Sequence, residues 1–454
     1  MKTLESGDFM NKAIKELFNK SIEMNHIDNA LYSQYDVKKG LRNEDNTGVL
    51  VGLTKISDVV GYERINEEKK DTEGKLYYRG IEIKDFVKGI DFSKHTAFEE
   101  TAFLILFGYL PTQDELDAFM LDLRANYSLP KDFIETHLLK MPNKNLMNRV
   151  QQAILMLYDY DLNPDDTSLE NTMAQGLNII AKLPAIIAYS YQSKLHYLDH
   201  KSLMIHQVKE DYSISESILR LIRKDKSFTD TEARVLDCML LLHIDHGGGN
   251  NSTFTNVVIA STGTDFYSTL VGSVGSLKGP RHGGANLAVC EMMSEVIHQL
   301  GYDASIQEME NIIDSILDKE FYDHSGLIYG IGHAVYTLSD PRSEILKEKA
   351  NELAIEKNMV KEFNFYKQFE EVAIQRVFLR KGKRVASNVD FYSGFVYSML
   401  NIPEELVSLL FVCARTVGWL AHNIEDKCFS NKIVRPATKY VGEMKAFIPM
   451  EERK

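Results

Sequence analysis

The chain has 454 residues, 44% apolar and 26% charged, long enough to bury a large core and unlike a disordered or fibrous protein. Its 52 Lys and Arg are outnumbered by 65 Asp and Glu, for a net charge of -13. With no broad basic stripe this argues against nucleic acid, and any anionic ligand must meet positive charge concentrated at its own site.

In chain order, the opening MKTLESGDFMNKAIKELFNK carries acidic residues and no long apolar core. It does not read as a secretory signal, and a cytoplasmic location is the default. Phe9, Ala13, Leu17 and Ile22 fall at helical spacing, and LRNEDNTGVL breaks that helix. VLVGLTKISDV and KLYYRGIEI are β-like runs separated by the charged, turn-rich NEEKKDTEGK, which predicts a small sheet or hairpin. From FEETAFLILFGYLPTQDELDAFMLDLRANY onward the period is helical. Leu110-Pro111-Thr112 ends one helix, and Thr112 with Glu115 forms a capping box for the next.

MAQGLNIIAKLPAIIAYSYQSKL predicts a further helix, kinked or interrupted at Pro184. NNSTFTNVVIASTGTDFYSTLVGSVGSL is ambiguous. Its Thr, Val and Ser favour strand, while Ala260, Ser261, Gly272, Ser273 and Gly275 suit closely packed helices. IPEELVSLLFVCARTVGWLAHNIED places Pro403 at a first helical position with two glutamates behind it. Leu406, Leu410, Ala414, Val417 and Ala421 line one apolar stripe. The longest apolar runs, such as Val412–Ala421, are broken by Arg and Gly and are too short to cross a bilayer. The whole reads as mostly all-α, with a short β element near the N-terminus. Cys238, Cys290, Cys413 and Cys428 form no C-x-x-C pair and read as reduced thiols, at least two of them buried in helices.

Three histidines share a setting. His282 lies in GPRHGG, His333 follows Gly330-Ile331-Gly332, and His246 precedes three glycines in HIDHGGGNNS. Glycine lets backbone N–H groups approach a ligand closely. A lone histidine is more often a hydrogen-bonded structural residue, but three in like settings point to function. His243 and His246, three apart, could ligate a metal from one helical face. There is no H-E-x-x-H, no cysteine pair, and glycine follows His246, so no metal is expected.

Asp390 stands between Val389 and Phe391 in NVDFYSG. Such a carboxylate is either salt-bridged and structural or desolvated, with a pKa above its usual value of about 3.9 and more strength as a base. Arg342 follows Asp340-Pro341, Arg415 is embedded in an apolar helix, and Arg435 precedes Pro436. A buried guanidinium needs an anion. The partner is either an internal carboxylate or a small polycarboxylate, whose planar ends suit bidentate pairing.

HIDHGGGNNSTFTNVVIASTGTDFYS, GSLKGPRHGGAN, GIGHAVYTLSDPR and NVDFYSGFVY, in this order, closely resemble the signature segments of the citrate synthase family. ISDV with LYYRGIEIKD, FEETAFLILFGYLP and RTVGWLAHNIED resemble its flanking segments. The resemblance runs from about Val51 to Gly442 and leaves residues before about Leu50 uncovered. It implies a two-domain helical homodimer closing over oxaloacetate and acetyl-CoA, and it makes the ambiguous Thr/Val stretch helical. The implied division is an N-terminal arm at 1–50, a large domain at 51–283 and 401–454, and a small domain at 284–400.

The resemblance also implies roles. Asp390 would remove a methyl proton from acetyl-CoA, His282 would hydrogen-bond the thioester oxygen, and His333 would polarise and protonate the oxaloacetate carbonyl. His246, Arg342 and Arg415 would hold the carboxylates, joined by Arg435 from the other subunit. Coenzyme A enters as a co-substrate, with no permanent cofactor. Many relatives carry a basic residue where Thr337 stands, and Arg281 occupies a place usually apolar. Coenzyme A must therefore find charge elsewhere. Gly330 and Gly332, with Lys383 and Arg384 of the basic RKGKR (Arg380–Arg384), are the candidate contacts, the alternative for the basic cluster being a solvated loop. Propionyl-CoA, giving 2-methylcitrate, remains an alternative, since one methylene discriminates by only about 1–3 kcal/mol. A non-catalytic helical homologue would be expected to lack a catalytic His or Asp, and none is missing.

Overall fold

Backbone hydrogen bonding closes locally over most of the chain, so helices carry the architecture of this computed structural model, which describes residues 12–453 apart from 46, 67, 430 and 431. The chain forms two compact units, one of Met1–Leu53 with Arg435–Lys454 and one of Thr54–Val434. In the first, the helix Lys12–Met24 contains Ala13, Leu17 and Ile22 at the expected spacing and buries none of its residues. Phe9 lies outside the described residues. The C-terminal part of this unit is irregular apart from a short 3-10 turn at Met450–Glu452.

The second unit opens with an antiparallel sheet of order β1-β2-β3, where β1 is Ser57–Ile65, β2 is Glu68–Tyr78 and β3 is Ile81–Glu82. The expected charged spacer between the β-like runs is itself strand. β2 runs through EKKDTEGK in register from Ile65↔Glu68 to Ser57↔Tyr78. Glu68–Asp71 is exposed and burial begins only at Gly74, Leu76 and Tyr78, so the outer half is held by the backbone ladder, which leaves no apolar alternation to read. The inner half meets the 335–339 segment, where Gly74 N donates to Ser339 Oγ at 3.0 Å.

The helix Ala97–Phe107 ends on Gly108 in the left-handed region, three residues before the expected stop at Leu110. Thr112 and Glu115 cap Gln113–Ala125 reciprocally, as their spacing predicts. Leu169–Tyr197 is one helix that passes through Pro184 without interruption. Pro184 is buried there and the helix packs along Glu404–Phe429, so tertiary contact outweighs the lost N–H. The ambiguous Thr/Val stretch forms two packed helices, Asn251–Ala260 and Phe266–Lys278, capped by Asn250 and Asp265.

Glu404–Phe429 begins one residue after Pro403 and buries the whole Leu406–Ala421 stripe. The reading from Val412–Ala421 alone was too narrow. The complete helix is long and apolar enough, by length and composition, to cross a bilayer, but 83% of its most apolar window is buried inside the protein. It serves here as a core helix. All four cysteines are free. Cys238 and Cys413 are buried in helices, Cys290 is half-buried and Cys428 is exposed.

Candidate active site

The helix Asp230–His243 stops at His243, and the chain then turns through Asp245 and His246. Asp245 holds this turn. Its carboxylate accepts from Ser57 Oγ and from Gly247 N (3.1 Å) and pairs with His422 Nε2 at 3.2 Å. Burial opposes its ionisation, but His422 and Arg415 outweigh burial and hold it well below the usual carboxylate range. The turn sits directly on the Glu404–Phe429 helix at Gly418, where a Cβ would collide with the Ile244 carbonyl and Asp245. His246 points beyond it, with Nε2 buried and without a hydrogen-bond partner. Its ring lies edge-on 5.2 Å from His333 and 5.5 Å from Tyr336. Burial first, then the charges of Arg342, His333 and Arg415, lower its pKa well below the ordinary value, so the ring is neutral.

His333 rides on a glycine loop strapped to the segment before Asp390. Gly330 and Gly332 have φ of +82° and +104°, and a Cβ on Gly330 would run into Phe391. Gly332 N donates to Ala386 O (2.7 Å), Asn388 N to Gly330 O (2.9 Å) and Asn388 Nδ2 to Gly332 O (2.8 Å). His333 Nδ1 accepts from the backbone N–H of Val335 and Tyr336, both at 3.1 Å. An acceptor Nδ1 assigns the ring proton to Nε2, which becomes a donor. Tyr336 stacks on the ring at 4.8 Å.

Asp390 lies in the first turn of Val389–Met399, where the Asn388 side chain caps the helix by accepting from Asp390 N at 2.9 Å. Among the described residues it makes no ion pair, and its carboxylate accepts from Asn286 Nδ2 at 3.3 Å. Burial raises its pKa, and Arg342, Asn286 and Arg415 only partly offset that. The salt-bridged reading of this aspartate finds no ion-pair partner among the described residues, and the half-buried carboxylate keeps a raised pKa. His282 stands in the turn before the helix Ala285–Leu300, with Nε2 3.0 Å from Ser252 Oγ, and Trp419 Nε1 donates to the same oxygen at 3.2 Å. Burial, then Arg415, lowers its pKa to about 4, so this ring too is neutral.

The arginines divide. Arg342 opens the helix Pro341–Glu356, and its Nη2 and Nε meet Asp340 at 2.7 and 3.1 Å, so an internal carboxylate already fills one edge of its fork. Arg415 is fully buried. Its Nε donates to His243 O at 2.7 Å and its guanidinium lies 4.6 Å over Phe411, but Nη1 is buried without a partner and it makes no ion pair among the described residues. Burial lowers its pKa to about 10, which leaves it charged at neutral pH. Its charge acts on His246, His282 and Asp390 alike.

Thus the structure brings His246, His282, His333, Arg342, Asp390 and Arg415 into one electrostatically linked group. Arg435 is exposed and belongs to the first unit. Lys383 and Arg384 are exposed in irregular chain, while Arg380 of the same basic cluster is tied to Asp314 and Asp318. Arg281 is exposed and the Thr337 hydroxyl is buried without a partner. His243 and His246 do not share a helical face, since His243 ends the helix and turns Nδ1 onto Met239 O at 2.6 Å. Among the described residues no group of three or more His, Cys, Asp or Glu is placed to hold a metal. A cavity of about 900 Å³, lined in part by Tyr191, Arg223, Phe228 and Lys357, contains none of these site residues, and its Arg223 and Lys357 are taken up by Glu232.

The sequence reading missed Ser252, Asn286, Tyr336, Asp340 and Asn388. Asn388 and Asp340 were recoverable as helix caps from SNVD and SDPR. Chemically the group combines a base of raised pKa, two neutral imidazoles in His246 and His282, a ring in His333 whose Nε2 carries the proton, and a buried cation with an unpaired Nη1. That suits proton abstraction beside a carbonyl with an anionic second reactant.

The family described as "Citrate synthase, C-terminal domain" matches residues 43–437. The citrate synthase of Deinococcus radiodurans is 31% identical over 90% of this chain and 96% of its own. The 2-methylcitrate synthase of Shewanella oneidensis is 32% identical over 83% and 92%. Among solved structures, the citrate synthase of Thermoplasma acidophilum in ternary complex with carboxymethyl coenzyme A and oxaloacetate superposes with a TM-score of 0.73 at 25% identity, covering 92% of this chain and 99% of the other. That of Thermotoga maritima gives 0.70 at 29%, with the same coverage.

Proposed function

The chain belongs to the citrate synthase family, and on that premise we propose that it condenses acetyl-CoA with oxaloacetate and hydrolyses the citryl-CoA formed to citrate and coenzyme A. One observation carries the reading. Arg415 is a buried cation whose Nη1 has no anion, set where a desolvated Asp390 and the neutral His246 and His282 meet its field. Leaving it so costs stability unless a ligand supplies the missing charge.

Asp390 takes a methyl proton from acetyl-CoA, and His282 stabilises the enol(ate) by a hydrogen bond to the thioester oxygen, Ser252 holding the far ring nitrogen. Neither group suffices alone, because a thioester α-proton is too weakly acidic for a solvated carboxylate. The new carbanionic carbon attacks the ketone carbon of oxaloacetate, and the Nε2 proton of His333 passes to the oxygen as it becomes a hydroxyl. Water then cleaves the thioester. Each acid or base supplies about 10²–10⁴-fold. His246 Nε2 and Arg415 Nη1 bind the oxaloacetate carboxylates with the remaining edge of Arg342, and Arg435 of the partner subunit completes the set. Gly330, Gly332, Lys383 and Arg384 approach coenzyme A, and residues 284–400 act as a small domain closing on the large one. The working form is a cytoplasmic homodimer, and no permanent cofactor is required.

The equal likeness to a 2-methylcitrate synthase supports propionyl-CoA as the second reading. Release of free thiol from acetyl-CoA and from propionyl-CoA, each with oxaloacetate, tests both. Acetyl-CoA is expected to give the higher kcat/KM. A strong propionyl preference would install the second reading, and no thiol from either would sink both. Asp390→Ala is expected to lower kcat by about 10²–10⁴-fold while oxaloacetate still binds. Near-normal turnover would remove Asp390 as the base.

A further inference from the structure

We propose that Asn388 is a positioning residue that ties the His333 loop to the start of the Asp390 helix and so sets the spacing between the two groups. The inference rests on the functional reading above, in which Asp390 and His333 act on the two carbons of one new bond.

Asn388 reaches both elements at once. Its backbone N–H donates to Gly330 O at 2.9 Å, and its side-chain Nδ2 donates to Gly332 O at 2.8 Å. The other end of the same amide, Oδ1, accepts from Asp390 N at 2.9 Å and caps the Val389–Met399 helix. One planar group therefore spans the gap from the histidine loop to the residue that carries the base. The loop has little stiffness of its own. Gly330 and Gly332 both have positive φ, and residues 332–336 are themselves neither helix nor strand, β1 and β2 touching them only from Val335 onward. What ties the loop to the Asp390 side is this amide, the Gly332 N–H bond to Ala386 O and an isolated bridge between Ile331 and Ser387. Asn is well suited to the task. Asp or Ser would cap the helix about as well, but Asp has no donor for Gly332 O and Ser is too short to reach it.

A misplacement of about 1 Å between reacting groups can cost about 100-fold in rate. Asn388→Ser keeps the cap and the backbone bond and removes only the amide tether. Amide hydrogen exchange on the unliganded protein should then show residues 330–336 exchanging about 10-fold faster, with Val389–Met399 still protected. In steady-state assays kcat should fall about 10–100-fold. Introduced into a His333→Ala background, the same substitution should cause no further fall, because the group it positions is gone. Unchanged exchange in the loop, or falls that multiply in the double variant, would overturn the proposal. If the wild-type chain releases no coenzyme A, the functional reading fails by itself, and the exchange result still decides whether the tether exists.

Discussion

The pockets around Arg342 and Arg415 are built on opposite principles, although both hold a buried guanidinium on a helix. Arg342 stands at a helix start where the capping carboxylate of Asp340 is within reach of two of its nitrogens. Arg415 stands in the middle of a core helix, offered a backbone carbonyl and the face of Phe411, with the Asp245 carboxylate acting on it through its field but no carboxylate in an ion pair with it among the described residues. The first charge is satisfied by the fold and would persist with no ligand present. The second is left open by the fold, and a folded protein tolerates that where an anion arrives from outside.

Removing each arginine should therefore damage a different property. Arg342→Met strands Asp340 as an unpaired buried charge, which should destabilise the unliganded protein by about 3–5 kcal/mol in urea unfolding. A loss under 1 kcal/mol would erase the distinction. Arg415→Met should cost the unliganded protein less, about 1–3 kcal/mol, because it strands no ion-paired carboxylate but does leave the buried His243 carbonyl without its donor. Its oxaloacetate affinity, read by calorimetry, should drop about 10–100-fold, in line with about 1.5–3 kcal/mol for a charged hydrogen bond. Unchanged affinity would mean that Arg415 serves something internal.

The smallest effect concerns His282, whose pKa is lowered to about 4 by burial and then by Arg415. Arg415→Met removes the second cause, so the ring should take up its proton at a higher pH. It should still titrate below the ordinary value of about 6.5, because burial is the larger cause. Histidine-labelled NMR titration reads this directly, and an unmoved midpoint would place Arg415 out of electrostatic reach.

How much of this was written in the sequence depends on the kind of signal. The helices were legible from period and caps, Thr112 with Glu115 being the clearest, because their burial follows a repeat. The outer half of β2 was not, since it is held by backbone bonds that no side chain reports, although its inner end falls in the β-like KLYYRGIEI. Pro184 does not interrupt its helix, because packing along another helix outweighs the local chemistry that would break it. In the site, His246, His282, His333 and Asp390 stood out by their glycine and apolar neighbours. The supporting shell did not. Ser252 and Asn286 are ordinary polar residues whose meaning lies in contacts from other elements, Ser252 with His282 and Asn286 with Asp390. The partner of Arg342 was two residues away in the string, but the sequence alone left an internal carboxylate and an external one equally open.

Gly418 meets neither the reactive rings nor a charged group's ligand edge, yet it bears on both. The missing side chain lets the core helix lie directly on the Ile244 carbonyl and the Asp245 carboxylate, so the turn that carries His246 is seated on this contact. Even a methyl group there would act as a shim, lifting the floor and tilting His246 away from the other rings.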